Sequence, residues 1–119
     1  MSRAAFSIYV FVAYMVVIGS LLVIAPDMLN QLFLASDPLD ERTMRLLGVI
    51  VLALSYYYAS AARTELTAFI TWTVHGRLFA AAVWTALVGL KLAPAMVGLF
   101  ICIELASALW TSMALRSDA

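Results

Sequence analysis

The sequence predicts an all-α integral membrane protein: an up-down four-helix bundle with a short interfacial helix between helices 1 and 2, one domain over residues 1–119. Three observations predict it. First, 66% of residues are hydrophobic, only 12% are charged and the mean hydropathy is +1.03, whereas charged residues make up about a quarter of a soluble domain. Second, the chain divides into four apolar runs joined by short polar links, and four crossings of ~20 residues use nearly all of it. Third, Arg77 and Glu104 lie deep inside apolar sequence, 14 residues before and 13 residues after Lys91. At a helical rise of ~1.5 Å per residue both sit ~20 Å from the turn that holds Lys91. That depth is near the middle of a hydrocarbon layer ~30 Å thick, where a charge is costly and marks a functional site.

The first span is expected over residues 4–25, beginning after Arg3 and closed by Pro26. Its apolar run is too long for the core of a signal peptide, and no small-x-small cleavage site leads into a soluble domain, so it reads as a retained transmembrane helix. An amphipathic connector helix is expected within residues 27–35, where Leu29, Leu32 and Phe33 share a face opposite Asn30 and Gln31. The second helix is expected over residues 38–63. Asp37 suits the N-cap, Pro38 the first helical position, and Asp40 and Glu41 the positive end of the dipole. Glu41 and Arg45 are one turn apart and are expected to pair. The face Arg45, Gly48, Leu52, Ser55, Ala59, Ala62 is mostly small or polar and admits a close neighbour. Tyr56, Tyr57 and Tyr58 point three ways, so one of them is expected to face inward and the others to form an interfacial belt.

Thr64 is expected to cap a tight link that makes the second and third helices antiparallel neighbours. The third span, residues 67–90, carries Trp72, His75, Arg77, three alanines at 80–82 and Trp84. The fourth, residues 92–115, carries Glu104, Ser107, Ala108 and Thr111 at i, i+3, i+4 and i+7, a polar and small stripe expected to turn inward.

Charge and motifs narrow the function classes. Seven basic and seven acidic residues cancel, so no nucleic-acid surface is implied, and the partner read from composition is the lipid bilayer. Cys102 is the single cysteine, which excludes an internal disulfide or a Cys-x-x-Cys pair, and it is expected as a small packing residue. There is no phosphate-binding glycine loop, no Gly-x-Ser-x-Gly and no zinc spacing, so no cofactor and no enzyme class is implied. Arg3, Arg63 and Arg116 fall on one side of the membrane and Arg42, Arg45 and Lys91 on the other. Both termini are assigned to the cytoplasm.

The candidate site is a polar cluster of His75, Arg77, Glu104, Ser55, Tyr56 and Ser107. Arg77 and Glu104 are expected to form a buried ion pair that fixes the register of the third and fourth helices and keeps the glutamate ionised. His75, two residues from Arg77, points to another face and is expected to donate to a carbonyl, a serine or a tyrosine of the second helix, where Ser55 and Tyr56 come out at its depth.

A first span ending in Pro26, Arg45-Leu46-Leu47-Gly48, Tyr57-Tyr58-Ala59-Ser60-Ala61-Ala62-Arg63, and Arg77 in the third span together resemble small bacterial four-helix membrane proteins of the DoxX-like and uncharacterised four-span type. The resemblance covers the whole chain in layout. It implies a compact up-down bundle in the bacterial inner membrane, and some of its relatives are linked to quinone-dependent redox processes. The small multidrug-resistance transporters share the length and the four spans but carry their working glutamate in the first helix, where this chain has no carboxylate. The leading reading is a non-enzymatic membrane protein that binds an apolar molecule, a lipid or quinone, beside the polar cluster, or that serves as an accessory subunit of a larger membrane complex. The second is a small proton-coupled transporter working as a homodimer through Glu104. The third is a quinone-linked redox protein.

Overall fold

The computed structural model describes residues 1–33 and 38–119, and among them five α-helices and no strand are found. They are α1 (Arg3–Ile24), α2 (Pro26–Phe33), α3 (Glu41–Arg63), α4 (Thr67–Gly89) and α5 (Val97–Asp118). Three of them, α1, α3 and α5, are long and apolar enough to cross a membrane. The helix α4 has 23 residues, yet it is not among the three. Thr67, Thr71, Thr73, His75, Gly76 and Arg77 dilute the apolar character of its first half.

The most apolar helix, α1, is the hub. It packs on α3 along one side and on α5 along the other, while α4 leans chiefly on α5. The expected neighbours α3 and α4 are joined by a tight turn but touch little otherwise. The reason lies in the small-residue face of α3, which is already occupied. A Cβ on Gly48 would come within 2.8 Å of Leu22 Cβ and 2.9 Å of the Gly19 carbonyl oxygen, and a Cβ on Gly19 within 2.9 Å of Leu52. Two glycines let the α1 and α3 backbones meet, and a helix with one small stripe can offer it to one neighbour only.

Two apolar clusters close the ends of this packing. By the chain termini, Ala4, Ala5, Ile8, Ala62, Ile70 and Ala114 are buried together. At the far end Leu22, Leu29 and Met44 are buried, with Phe33 and Val51 against them, so α2 covers the end of the α1–α3 pair. Leu29 carries this contact and Phe33 supports it, but Leu32, expected on the same face, is 65% exposed. Asn30 donates to the Leu39 carbonyl at 2.9 Å and accepts from the Leu39 amide at 3.0 Å.

That pairing holds the segment before α3, and α3 begins later than expected. Asp37, the expected N-cap, lies outside the described residues. Asp40 is the N-cap instead, accepting from the Thr43 amide at 3.1 Å and the Thr43 hydroxyl at 2.8 Å. These bonds hold the Asp40 carboxyl below its ordinary value, the hydroxyl contributing most. Pro38 precedes the helix. Arg45, expected to pair with Glu41, donates to the Val23 carbonyl, one of the last carbonyls of α1 that has no partner within its own helix.

The two sharp turns share one geometry. Glu65 N donates to Ala62 O at 3.2 Å and Leu66 N to Ala61 O at 2.9 Å, while Lys91 N donates to Val88 O at 3.1 Å and Leu92 N to Leu87 O at 2.8 Å. Both are Schellman motifs, and the residue that must turn left-handed is Glu65 (φ 51°) in one and Lys91 (φ 60°) in the other, where glycine is the usual choice. Thr64, expected to cap α4, ends α3 instead, its hydroxyl donating to Ser60 O at 2.8 Å. The fourth long helix starts at Val97 rather than residue 92 because Pro94 lacks an N–H and its carbonyl opens a run of i to i+3 bonds, Val97 N to Pro94 O at 3.0 Å being the first.

At the terminal end every early N–H of α1 is bonded. Ser2 N donates to the Glu65 carboxylate, Arg3 N and Ala4 N to Asp118 at 3.3 and 3.0 Å, and Ala5 N to the Ser2 hydroxyl at 3.0 Å. Helix starts leave four such donors open, and here the α3–α4 turn and the end of α5 close them.

Candidate functional site

In the interior α1 and α5 are joined by the hydroxyls of Ser7 and Thr111, both buried, which meet at 2.8 Å. Tyr14 lies two turns beyond Ser7 and Glu104 two turns before Thr111, ~10 Å along each antiparallel axis. Tyr14 and Glu104 therefore come to one level, and Glu104 is within electrostatic reach of Tyr14, Tyr58 and Arg77. The expected inward stripe on α5 is present: Ala108 and Thr111 are buried, and Glu104 and Ser107 are half-buried.

Arg77 is 2% exposed. Its Nε donates to the Thr73 carbonyl at 3.1 Å and its Nη2 to the Thr73 hydroxyl at 3.1 Å, one turn back on the same helix. The Phe11 ring of α1 lies against the guanidinium with Cζ 4.9 Å from the ring centre, a favourable cation–π placement. Phe11 in turn touches Tyr14 at 5.6 Å and Tyr58 at 6.0 Å between ring centres, and Tyr58 meets Phe69 edge-on at 6.0 Å. All four long helices thus contribute to the cluster: Phe11 and Tyr14 from α1, Tyr58 from α3, Thr73 and Arg77 from α4, and Glu104 from α5.

The expected Arg77–Glu104 ion pair does not form. Among the described residues, Arg77 Nη1 and Glu104 Oε2 are the buried side-chain atoms left with no hydrogen-bond partner. The cause is direction. A helical side chain leans toward the N-terminus of its own helix, and α4 and α5 are antiparallel, so residues at one depth send their charged ends opposite ways. The Thr73 contacts show Arg77 leaning that way.

Tyr58 reaches the cluster through Phe11, whose ring lies 6.0 Å from the Tyr58 ring and 4.9 Å from Arg77 Cζ. Tyr56, named from depth alone, is 67% exposed. Ser55 is buried but donates to its own helix, to Leu52 O at 2.6 Å, and Ser107 donates to Glu104 O at 3.0 Å. His75 is exposed and makes no hydrogen bond among the described residues, because it sits on the outer face of α4. Cys102, expected as a packing residue, is exposed as well.

Reading the residues in sequence missed Phe11, Tyr14 and Thr73; of the three consecutive tyrosines one was expected to face inward, and it is Tyr58 rather than the named Tyr56. The i, i+4 spacing of Thr73 and Arg77 and the i, i+3 spacing of Phe11 and Tyr14 were the available signals. Surface grooves between Arg3, Phe6, Trp110 and Met113, and between Glu65, Ile70 and Asp118, lie by the chain ends and not at the cluster. No three His, Cys, Asp or Glu side chains gather at metal-binding distance among the described residues. Comparisons with family models, curated proteins and solved structures returned no match.

Proposed function

We propose that the protein is integral to a membrane, with α1, α3, α4 and α5 all crossing it, and that its polar cluster binds an apolar molecule of the lipid or quinone class without transforming it. Support for the crossings comes from the outer surface. Phe6, Val17, Leu46, Ile50, Trp72, Phe79, Leu109 and Met113 are exposed around all four long helices, and soluble proteins rarely carry apolar surface on that scale. Both termini are assigned to the cytoplasmic side of a bacterial inner membrane. In favour of that orientation, Arg45 on the opposite side is already engaged by the Val23 carbonyl.

The observation that carries the binding reading is the pair of orphaned atoms. A buried donor or acceptor without a partner costs about 1–3 kcal/mol, more when charged, and a native structure bears that cost where a ligand relieves it. Arg77 Nη1 and Glu104 Oε2, both unpaired among the described residues, supply one donor and one acceptor to a visitor. Native mass spectrometry of protein purified in mild detergent tests this. An apolar small molecule retained by the wild type and lost from Arg77→Met and Glu104→Gln is the expected result; a bare wild type, or retention by both variants, overturns it. A large foreign partner would favour the accessory-subunit reading.

One observation favours a second reading, a proton-coupled transporter working as a dimer. A direct guanidinium bond would have kept Glu104 charged, and the unpaired Oε2 removes that objection. Proton-driven flux in liposomes by the wild type, abolished by Glu104→Gln, would establish it.

A further inference from the structure

We infer that the outer face of α4 is a homodimer interface, on which a second copy of this chain packs in parallel and the two His75 imidazoles hydrogen-bond to each other across the two-fold axis. The inference rests on the reading of α4 as a membrane-crossing helix and is independent of what the polar cluster binds. It starts from the place of α4 at the edge of the bundle. This helix leans on α5 and touches α3 and α1 little.

The side turned away from α5 carries a regular pattern. Stepping from Ala68 by four and three residues in turn, the chain reads Trp72, His75, Phe79, Ala82, Ala86 and Gly89, and each of these positions is exposed. That spacing holds one stripe of a helix against a parallel partner in a left-handed pair, and here it runs along the whole of α4. Lipid alone does not suit it. His75 lies eight residues after Thr67 and fourteen before Gly89, ~12 Å and ~21 Å from the helix ends, deep in the hydrocarbon layer for a crossing helix. It is exposed and makes no hydrogen bond among the described residues. Intramembrane histidines are rare and turn toward protein or a polar cavity, because hydrocarbon leaves their ring nitrogens unpaired. Where α1 and α5 are exposed through their middle turns, the side chains are apolar, as at Val10 and Val17 on one and Leu105 and Leu109 on the other.

The chemistry of the exposed group selects the occupant. A neutral imidazole carries one donor and one acceptor, so one ring can donate its N–H to the bare nitrogen of another. A two-fold axis along the helices sets each residue against its own copy, and His75 therefore meets its complement in a second identical chain. A single polar position in an apolar seam also fixes register. Trp72 and Phe79, 64% and 71% exposed and one turn to either side of His75, would close over the pair. The glycines agree. Gly19 and Gly48 are filled by the α1–α3 contact, whereas a Cβ on Gly76 or Gly89 would meet nothing within 4 Å. Small residues in membrane helices mark where another backbone comes close, and these two find none inside the chain.

The test uses the full chain in lipid bilayers, with Cys102→Ala in place because that exposed thiol on α5 could cross-link by itself. Single substitutions Ala68→Cys, Ala82→Cys and Ala86→Cys are oxidised and read as dimers on a gel. All three are expected to cross-link, while Val17→Cys on α1 and Ile50→Cys on α3, at sites 58% and 57% exposed, are not. An antiparallel pair would bring neither Ala68 nor Ala86 to its own copy. Dimer affinity, read by energy transfer between labelled chains as lipid is added, is expected to fall about five- to thirtyfold in His75→Leu, the worth of one hydrogen bond between membrane helices. His75→Asn is expected to retain it, since an amide also holds donor and acceptor.

A chain that stays monomeric would overturn the inference and leave ligand retention at the cluster standing. Cross-linking at Val17 or Ile50 instead, failure at both Ala68 and Ala86, or a foreign protein captured at Ala82 would overturn it too. So would a dimer whose affinity ignores His75→Leu. Release of the wild type from membranes by alkaline extraction would end this inference and the membrane reading together.

Discussion

The end of the molecule by the chain termini and the cluster about two turns deeper use similar side chains to opposite effect. At the end, Ser2, Glu65 and Asp118 leave no early N–H of α1 open, and Ser7 and Thr111 satisfy each other in an otherwise apolar layer. In the cluster, a 2% exposed arginine and a nearby glutamate each keep a buried atom unpaired among the described residues. Complete pairing costs least and holds helices in place; incomplete pairing is tolerated where something else completes it. The difference separates what this fold needs for stability from what it keeps for a visitor.

The largest way to break the comparison is at the closed packing. Gly48→Leu should destabilise the protein by ~3 kcal/mol or prevent assembly, because even a Cβ there meets Leu22 and the Gly19 carbonyl and overpacked cores lose ~1–3 kcal/mol or more. Loss of the cooperative transition in a denaturing-detergent titration is the readout. Next, the double change Arg77→Met with Glu104→Gln should leave the empty protein as stable as the wild type or raise its stability by ~1–2 kcal/mol, since it removes unpaired buried charge. A marked loss would mean that the cluster is a structural network after all. Ser7→Ala should cost ~1 kcal/mol, the usual worth of a buried hydrogen bond whose other hydroxyl is left behind.

Smaller effects sharpen the picture at the turns. Lys91→Gly should stabilise by about 0.5–1 kcal/mol, because Lys91 holds φ 60° at a position where glycine carries no steric penalty. The smallest concerns pH. The folded carboxyl of Asp40 sits below its ordinary value, so its contribution is full above the ordinary carboxylate range. It is lost as the pH falls through the lowered value. Amide exchange at Thr43 should therefore quicken below about pH 4, and Asp40→Asn should remove that dependence.

Much of the architecture was legible in the sequence. The helical class, the first and third long helices and the inward stripe through Ala108 and Thr111 follow from apolar length and periodicity. Boundaries moved where local bonds outweighed composition, at Asp40 with Thr43 and at Pro94. Counting residues from Lys91 brought Arg77 and Glu104 into one neighbourhood. It did not bring them into contact, because equal depth on antiparallel helices leaves the two side chains leaning opposite ways, which a count of residues along the axis omits. The exposure of His75 and Tyr56 and the burial of Tyr58 are consequences of helix rotation, which hydropathy does not encode when every face of a helix is apolar. That α3 would choose α1 over α4 depended on Gly19 finding Gly48, a match between two positions that neither helix announces alone.

The bond from Asp118 to the start of α1 spans 114 positions of the chain, and that separation has a consequence in time. Synthesis runs from the amino end, so α1 emerges with its leading amides unprovided for and waits for Asp118, 114 positions on, before Ala4 N finds its acceptor. Glu65 arrives midway, with the turn between α3 and α4. The hub helix is thus made before α3, whose packing against Leu22 and Gly19 holds it along one side, while the amides at its start are secured only once the end of α5 has followed.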